Sequence, residues 1–193
     1  MPADKSFRLL LLLAFVFLPL PVAAQSAPTQ PAPTAGPDGL PRAVPAFDVR
    51  DFDGRPRPWS SLTGKLTLVD FWATWCQPCR DTLPQLQGVH AKFSQEGDFG
   101  VIGIALERTQ GGAARASRFA KDLGVQYPLY NDFGNGEAAK AFGVRAIPDL
   151  YLVDPEGNIV ERWVGSDTDF DEVEATVAKW LEKVRAGKKL VKE

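Results

Sequence analysis

Three residue types that build metal and disulfide sites are scarce in this chain of 193 residues, which has one His, one Met and two Cys. These counts exclude a site of several imidazoles and a methionine-rich site for soft metals within one chain. Two cysteines cannot form the disulfide framework of a small secreted fold. The net charge of −2 argues against a dedicated nucleic-acid binder, which needs a basic face. We therefore expect no metal, no cofactor and no nucleic-acid partner.

The chain begins with a pattern that is typical of a secretory signal. Lys5 and Arg8 precede an unbroken apolar run over residues 9–18, and small residues end at Ala24, where we predict cleavage. The run is shorter than the ~20 apolar residues that span a bilayer. An uncleaved membrane anchor and a buried core helix remain the alternatives.

Composition then divides the chain into four segments. A stretch rich in Pro and Ala with a single charge predicts a disordered linker, because it cannot bury enough apolar surface to fold. The segments are a signal peptide over residues 1–24, this linker over 25–41, one folded domain over 42–187 and a basic tail over 188–193.

The domain alternates strand patterns with helix patterns. Continuous apolar runs predict strands that are covered on both faces, and apolar residues spaced three and four apart predict helices. The predicted strands are 44–49, 66–72, 99–106, 127–130, 150–153 and 158–164, and the predicted helices begin at Cys76 or cover 113–123, 137–142 and 169–185. Strand–helix–strand units pair in parallel and a hairpin adds antiparallel strands. We expect an α/β fold with a mixed central β-sheet and helices on both faces.

The strongest chemical signal is the sequence Trp75-Cys76-Gln77-Pro78-Cys79, where a buried strand turns into a helix. Thiols at i and i+3 can close a disulfide, and the positive end of a helix favours a thiolate at the first. Because thiolates attack disulfides, Cys76 is the candidate nucleophile and Cys79 the resolving thiol. Three alternatives are weaker. A static structural disulfide across so small a loop would add little stability, and a zinc site needs four ligands. Two inert buried thiols are disfavoured because thiols of an exported protein oxidise. The motif predicts redox chemistry.

Two further positions carry chemical interest. Asp70 is the single charge in an apolar strand, so its pKa should be raised and it could exchange a proton with Cys79. A structural Asp with hydrogen-bonded partners is the alternative. Pro148 follows Ile147 just before a predicted strand, and the pattern alone allows either an ordinary proline at a strand start or a cis bond.

Two stretches, LTLVDFWATWCQPCRDTLPQL and FGVRAIPDLYLVDPEGNIVERWVG, resemble thioredoxin-fold proteins of the exported TlpA/ResA-like group, which includes the cytochrome c biogenesis thioredoxins. The resemblance runs from about Val44 to Arg185. It implies a thioredoxin fold with an N-terminal extension, a central insertion over residues 107–143 and a periplasmic location.

The resemblance also implies roles for individual residues. Cys76 would be the exposed attacking cysteine and Cys79 the buried one, and Pro148 would be a cis-proline facing them. Ile147 would offer backbone hydrogen bonds to an incoming peptide. Further implied positions are Trp72 and Trp75 beside the site, Asp70 as the buried acid and Pro84 inside the helix. The expected substrate contacts are Trp75, Gln77, Pro78, Ile147, Pro148 and Asp149.

The sequence departs from the family pattern at two positions. Many relatives carry a buried Glu three residues after the second cysteine, where this chain has Thr82, so that role falls to Asp70 or is absent. Asp149 follows the expected cis-proline, where a small polar residue is usual. A carboxylate there should disfavour acidic partner segments and raise the pKa of nearby thiols.

Arg108, Arg115 and Arg118 are expected on a solvated face.

We therefore expect a monomeric extracytoplasmic thiol-disulfide oxidoreductase. By resemblance, it would reduce disulfides of client proteins in a process like cytochrome c maturation, and a membrane thiol carrier would supply its electrons. An oxidant or isomerase of secreted disulfides and a non-catalytic peptide-binding or assembly module are the alternatives. A peroxidase is disfavoured, because Ala73 stands where the peroxide-activating pattern requires Thr.

Overall fold

The computed structural model of the protein describes residues 39–132 and 136–190, with only the backbone described over 188–190. The predicted signal peptide, residues 25–38 of the predicted linker and residues 191–193 lie outside the described residues. The strands are β1 (Arg42–Ala43), β2 (Asp48–Arg50), β3 (Pro56–Pro58), β4 (Leu66–Trp72), β5 (Phe99–Ala105), β6 (Leu129–Asn131), β7 (Asp149–Val153) and β8 (Asn158–Val164). The helices are α1 (Cys79–Phe93), α2 (Gly112–Asp122), α3 (Glu137–Phe142) and α4 (Phe170–Leu190), with 3₁₀ turns at Trp59–Ser61 and Ser94–Glu96.

The strands form one mixed sheet in the order β1-β8-β7-β4-β5-β6-β2-β3. Strand β4 pairs in parallel with β5, and β5 with β6, because a helix lies between the strands of each pair along the chain. The hairpin of β7 and β8 adds antiparallel pairing beside β4. The prediction of a mixed central sheet is confirmed.

The central strand β4 is buried on both sides, as its continuous apolar run predicts. We call the side that carries Leu68, Asp70 and Trp72 the first face, and the side that carries Val69 and Phe71 the second face. Helices α1, α2 and α4 pack on the first face through Leu83, Leu86, Ala116, Ala120, Val173 and Val177. Helix α3 and the N-terminal segment cover the second face through Phe47, Val49, Trp59, Ala138 and Phe142. Helices thus lie on both faces, as expected.

Prolines account for most differences from the predicted elements. Helix α1 begins at Cys79 and not at Cys76, because Pro78 disfavours helical geometry in the residue before it. The predicted strand over 44–49 is instead two short strands around Pro45. Strand β3, which contains two prolines, was not predicted. None of the described helices is both long and apolar enough to cross a membrane.

Helix α4 differs from the prediction at its far end. Its start is as predicted, with the Asp169 side chain accepting a hydrogen bond from the N–H of Asp171 at 2.9 Å. It extends to Leu190, beyond the predicted end at residue 185 and into the predicted basic tail.

Candidate active site

The two cysteines form a disulfide between the end of β4 and the start of α1, with their Cα atoms 5.4 Å apart. The N–H of Cys79 donates a hydrogen bond to the Cys76 sulfur at 3.2 Å. Cys76 retains 5% exposure whereas Cys79 has none. The disulfide predicted from the spacing of the two cysteines is therefore present, and Cys76 is the more exposed of its two residues.

Exposed side chains surround this loop. Trp75 is 56% exposed, and the guanidinium of Arg108 lies 5.5 Å from the centre of its indole ring. Gln77 is exposed and Pro78 is half-buried. The expected substrate contacts on this loop thus face solvent beside the disulfide.

The Ile147–Pro148 peptide bond is cis, as the resemblance implies. Pro148 precedes β7, whose first residue pairs with Phe71 near the end of β4. The cis bond therefore lies beside the strand end from which the cysteine loop begins. Pro148 is buried and its carbonyl accepts a hydrogen bond from Gly165, whereas Ile147 is half-buried.

Asp70 lies on the first face, the side of the sheet on which Cys79 is packed. Its carboxyl group has no exposure, and neither oxygen has a hydrogen-bond partner within residues 39–132 and 136–190. Burial raises the pKa of Asp70 to about 8, with a smaller contribution from the Asp149 carboxylate. The raised pKa predicted for this position is thus supported by its surroundings. The alternative of a structural Asp held by hydrogen bonds is not supported.

Asp149 does not lie where we expected it. Register pairs it with Phe71, so its side chain is on the second face, away from Asp70 and Cys79. It is fully buried and accepts two hydrogen bonds from Arg162, at 3.0 and 2.8 Å, and one from the Tyr151 hydroxyl at 2.8 Å. The expectation that this carboxylate contacts substrate and repels acidic segments is wrong, because its charge is buried and paired.

A buried carboxylate that the sequence analysis missed supports the cysteine loop. Glu107 is 3% exposed and accepts a hydrogen bond from the backbone N–H of Thr74 at 2.7 Å. Arg115 donates to the other oxygen of Glu107 at 2.9 Å and to the Thr74 hydroxyl at 3.4 Å. Arg108 and Arg115 therefore contact the loop and are not simply solvated. The parallel pairing of β4 and β5 was the available signal, because it brings the segments after both strands to one edge.

Thr82 stands one helical turn after Cys79. It is buried, and its hydroxyl donates to the Cys79 carbonyl at 3.2 Å. This hydroxyl cannot act as a carboxylic acid, and Asp70 is a fully buried carboxyl group on the first face. Pro84 lies inside α1, where the resemblance expects it.

Comparison with known proteins gives this geometry a family. A family model described as the AhpC/TSA family matches residues 41–162. The thiol-disulfide oxidoreductase ResA of Bacillus anthracis is 30% identical over 127 residues, which are 66% of this chain and 70% of that protein. The thiol:disulfide interchange protein CycY of Rhizobium leguminosarum bv. viciae is 35% identical over 118 residues, which are 61% of this chain and 60% of CycY.

Solved structures agree with these matches. A thioredoxin-family thiol:disulfide interchange protein from Chlorobium tepidum TLS superimposes with a TM-score of 0.61 at 28% identity, covering 73% of this chain and 97% of that one. The thioredoxin-like fold and the predicted resemblance to ResA-like proteins are thereby confirmed. The chain belongs to the AhpC/TSA family and is a thiol-disulfide oxidoreductase of the thioredoxin-like type.

Proposed function

We propose that this protein is exported, that it reduces disulfides of client proteins in a process like cytochrome c maturation, and that a membrane thiol carrier recharges it. The observation that carries the proposal is the Cys76–Cys79 disulfide, in which Cys76 retains a small exposure of 5% beside the exposed Trp75 and Gln77 whereas Cys79 has none. Such a pair separates the two steps of thiol–disulfide exchange, because a client can reach one sulfur and the protein itself supplies the other.

The proposed cycle begins with the reduced dithiol. The Cys76 thiolate attacks one sulfur of a client disulfide, forming a mixed disulfide and releasing a client thiolate. Cys79 then loses its proton and attacks the Cys76 sulfur, which closes the protein disulfide and releases the second client thiolate. Two electrons pass to the client. During recharging the carrier returns two electrons to the protein, which regenerates the Cys76 thiolate and a Cys79 sulfur that takes back its own proton.

Asp70 is proposed to take the proton from Cys79 and to return it during recharging. A general base works best when its pKa is near the operating pH, and the pKa of this carboxyl group is about 8. Its side chain lies on the first face with Cys79, and no other hydrogen-bonding group of the described residues engages it. Asp70 is therefore free to exchange a proton.

One observation supports the reducing direction. Strong oxidants of this class stabilise their reduced form, commonly through a cation beside the reactive thiolate. Within the described part of the chain, the Cys76 sulfur accepts a hydrogen bond from the Cys79 N–H and from no Lys, Arg or His side chain. A Cys76 thiolate without a hydrogen bond from a cationic side chain would lack the stabilisation that is typical of strong oxidants, which supports transfer of electrons to a client.

Client binding is proposed at the groove between the cysteine loop and the cis-proline. Trp75, Gln77 and Pro78 would line one side, with Ile147 and Pro148 on the other. A client peptide would extend along the Ile147 backbone as an added strand. Asp149 would have no contact with the client in this arrangement.

A stopped-flow assay with two disulfide substrates tests the proposal. One is a synthetic peptide with a Cys-Xaa-Xaa-Cys-His disulfide, the haem-attachment motif of c-type cytochromes, and the other is insulin. We expect the reduced protein to reduce the peptide faster than insulin. Cys79→Ser should stop at a stable mixed disulfide, and Cys76→Ser should not react. Equal rates for both substrates would contradict the maturation role, and no reduction of either would contradict the enzyme cycle.

A further inference from the structure

Two other buried polar groups lie on the first face near Asp70 without a hydrogen-bond partner among the described residues. They are the indole N–H of Trp72 and the hydroxyl of Tyr127. Trp72 is two residues after Asp70 on β4, so both side chains are on the same side of the strand. Tyr127, which is 3% exposed, comes from the segment between α2 and β6.

Gly103 brings these groups together. It is the register partner of Asp70 on β5. A Cβ atom placed on Gly103 would lie 3.0 Å from Nε1 of Trp72 and 3.3 Å from Cε2 of Tyr127. Both rings therefore occupy the space that a side chain at 103 would need, directly beside Asp70. Electrostatics also indicate that Asp70 and Tyr127 are close together. Burial raises the pKa of Tyr127, and the charge of the Asp70 carboxylate raises it further.

Unpaired buried polar groups are costly, and proteins satisfy most of them with protein atoms or with an internal water that makes about three hydrogen bonds. The chemistry of the three groups is complementary. The indole can only donate, the phenol can donate and accept, and the carboxyl group accepts when ionised and donates when protonated. A single water can join all three.

We propose that Tyr127 is a positioning residue for Asp70, and that it and the Trp72 N–H hold one buried water against the Asp70 carboxyl group. This rests on the proposed function, in which Asp70 takes the proton of Cys79. When Asp70 is ionised, the Tyr127 O–H donates through the water towards the carboxylate. When Asp70 gains the proton, Asp70 becomes the donor and the phenol oxygen accepts, so the same members serve both states. The hydrogen bonds to the ionised carboxylate are the stronger set, so the network favours the ionised state.

Other titratable groups surround this network. Asp149 on β7 points to the opposite face and is paired with Arg162, and Cys79 on α1 is the proposed proton donor. His90 on α1 lies with its ring centre 6.0 Å from that of Tyr127, and burial lowers its pKa. A test must therefore separate the titration of Asp70 from that of His90.

The test compares Tyr127→Phe with Tyr130→Phe, which removes a hydroxyl from a half-buried tyrosine next to a different cluster. Reduced protein reacts with an aromatic disulfide that releases one coloured thiol when Cys76 attacks and a second when Cys79 resolves. We expect Tyr127→Phe to raise the apparent pKa of the second step by about one unit, a tenfold change in proton affinity. Tyr130→Phe should leave that pKa unchanged.

Three controls complete the test. The infrared band of protonated Asp70, absent in Asp70→Asn, should titrate at the same shifted pH, which excludes His90 as the group observed. In protein that already carries Asp70→Asn, Tyr127→Phe should cause no further change in the pH profile of the second step. A crystal structure of the oxidised wild-type protein should place a water within hydrogen-bond distance of all three groups, whether or not the variant folds.

The inference is overturned if the pH profile of Tyr127→Phe equals that of wild type, if its effect persists without Asp70, or if the three groups enclose no water. Failure of the proposed function gives a different result. In that case the wild-type protein releases no second thiol, whatever residue occupies position 127.

Discussion

Two carboxylates on neighbouring strands, Asp70 on β4 and Asp149 on β7, are equally buried and have opposite surroundings. Asp149 receives three hydrogen bonds, two of them from a guanidinium, on the second face. Asp70 receives none from the described residues on the first face, and its pKa rises to about 8. Burial alone thus does not assign a role to a buried acid. The partners distinguish the two groups, because hydrogen bonds from Arg162 and Tyr151 hold the Asp149 carboxylate whereas Asp70 has no partner among the described residues.

The two faces of the sheet differ in the carboxylate that lies on the side of the thiols. The ion pair places a neutralised charge on the face away from Cys79, and the titrating acid lies on the face that carries it. Had both carboxylates lain unpaired beside the disulfide, each would have raised the pKa of the other and of the thiols. Separation across the sheet leaves Asp70 without a hydrogen-bond partner among the described residues, on the face that carries Cys79.

The largest expected effect comes from removing the partner of Asp149. Arg162→Met should destabilise the oxidised protein by about 3–5 kcal/mol, since it leaves a buried charge unpaired. Urea unfolding at pH 7 measures the loss. Arg55→Met is the matched control, because the Arg55–Asp53 pair is exposed and should contribute at most about 1 kcal/mol. Similar losses for the two variants would contradict the contrast between a pair with a buried carboxylate and a pair that is exposed on both sides.

The second prediction concerns pH. The pKa of Asp70 is raised from 3.8 to about 8 on folding, so the folded state holds the proton more tightly than the unfolded state. Oxidised protein should therefore lose stability as pH rises, by about 4 kcal/mol between pH 4 and pH 7 from this group. Asp70→Asn should remove that slope and slow the resolving step.

Urea titrations across this pH range check the prediction, with Asp149→Asn as the comparison. Asp149→Asn should lower stability at pH 7, because it disrupts the pairing with Arg162. If Asp70→Asn leaves the pH dependence unchanged, Asp70 does not titrate in this range and its proposed role fails.

The third prediction extends the comparison to Glu107, which is paired as Asp149 is. Glu107→Ala leaves the Thr74 N–H without its acceptor and should cost about 1–3 kcal/mol. Glu107→Gln keeps an acceptor for that N–H and should cost less. The alkylation rate of Cys76 against pH reports on the loop. If Glu107 holds the loop in place, the pH profile of alkylation should shift in Glu107→Ala and shift less in Glu107→Gln. Profiles identical to that of wild type would show that the loop does not depend on Glu107.

The smallest effect is expected from the neutral partner of Asp149. Tyr151→Phe removes one hydrogen bond and leaves both bonds from Arg162, so the loss should be about 1 kcal/mol. Thermal unfolding, with Tyr130→Phe alongside, measures it. A loss as large as that of Arg162→Met would mean that the hydroxyl and not the guanidinium holds the charge.

Much of the fold could be predicted from the sequence, because its central elements carry strong local patterns. The apolar run at 66–72 and the short helix at 137–142 have the predicted bounds. The short strands β1 and β3 could not be predicted, and β2 only in part, since two or three residues with adjacent prolines carry no periodic signal. Their pairing depends on neighbours that are distant in the chain.

The candidate site divides in the same way. A lone charge in an apolar run was enough to predict the raised pKa of Asp70. The environment of Asp149 was not predictable, because it depends on the register between β7 and β8 that brings Arg162 to it. The role of Glu107 depends on two strand ends meeting at one edge of the sheet. Local pattern therefore identifies reactive residues, whereas partners require the tertiary structure.

The redox equilibrium of the protein against glutathione and dithiothreitol buffers, followed by the fluorescence of Trp72 and Trp75, tests the central claim most directly. The account predicts a fully reversible Cys76–Cys79 couple with a potential below about −220 mV, that of a reductant. A potential above about −150 mV, that of an oxidant, or cysteines that do not cycle at all, would contradict it.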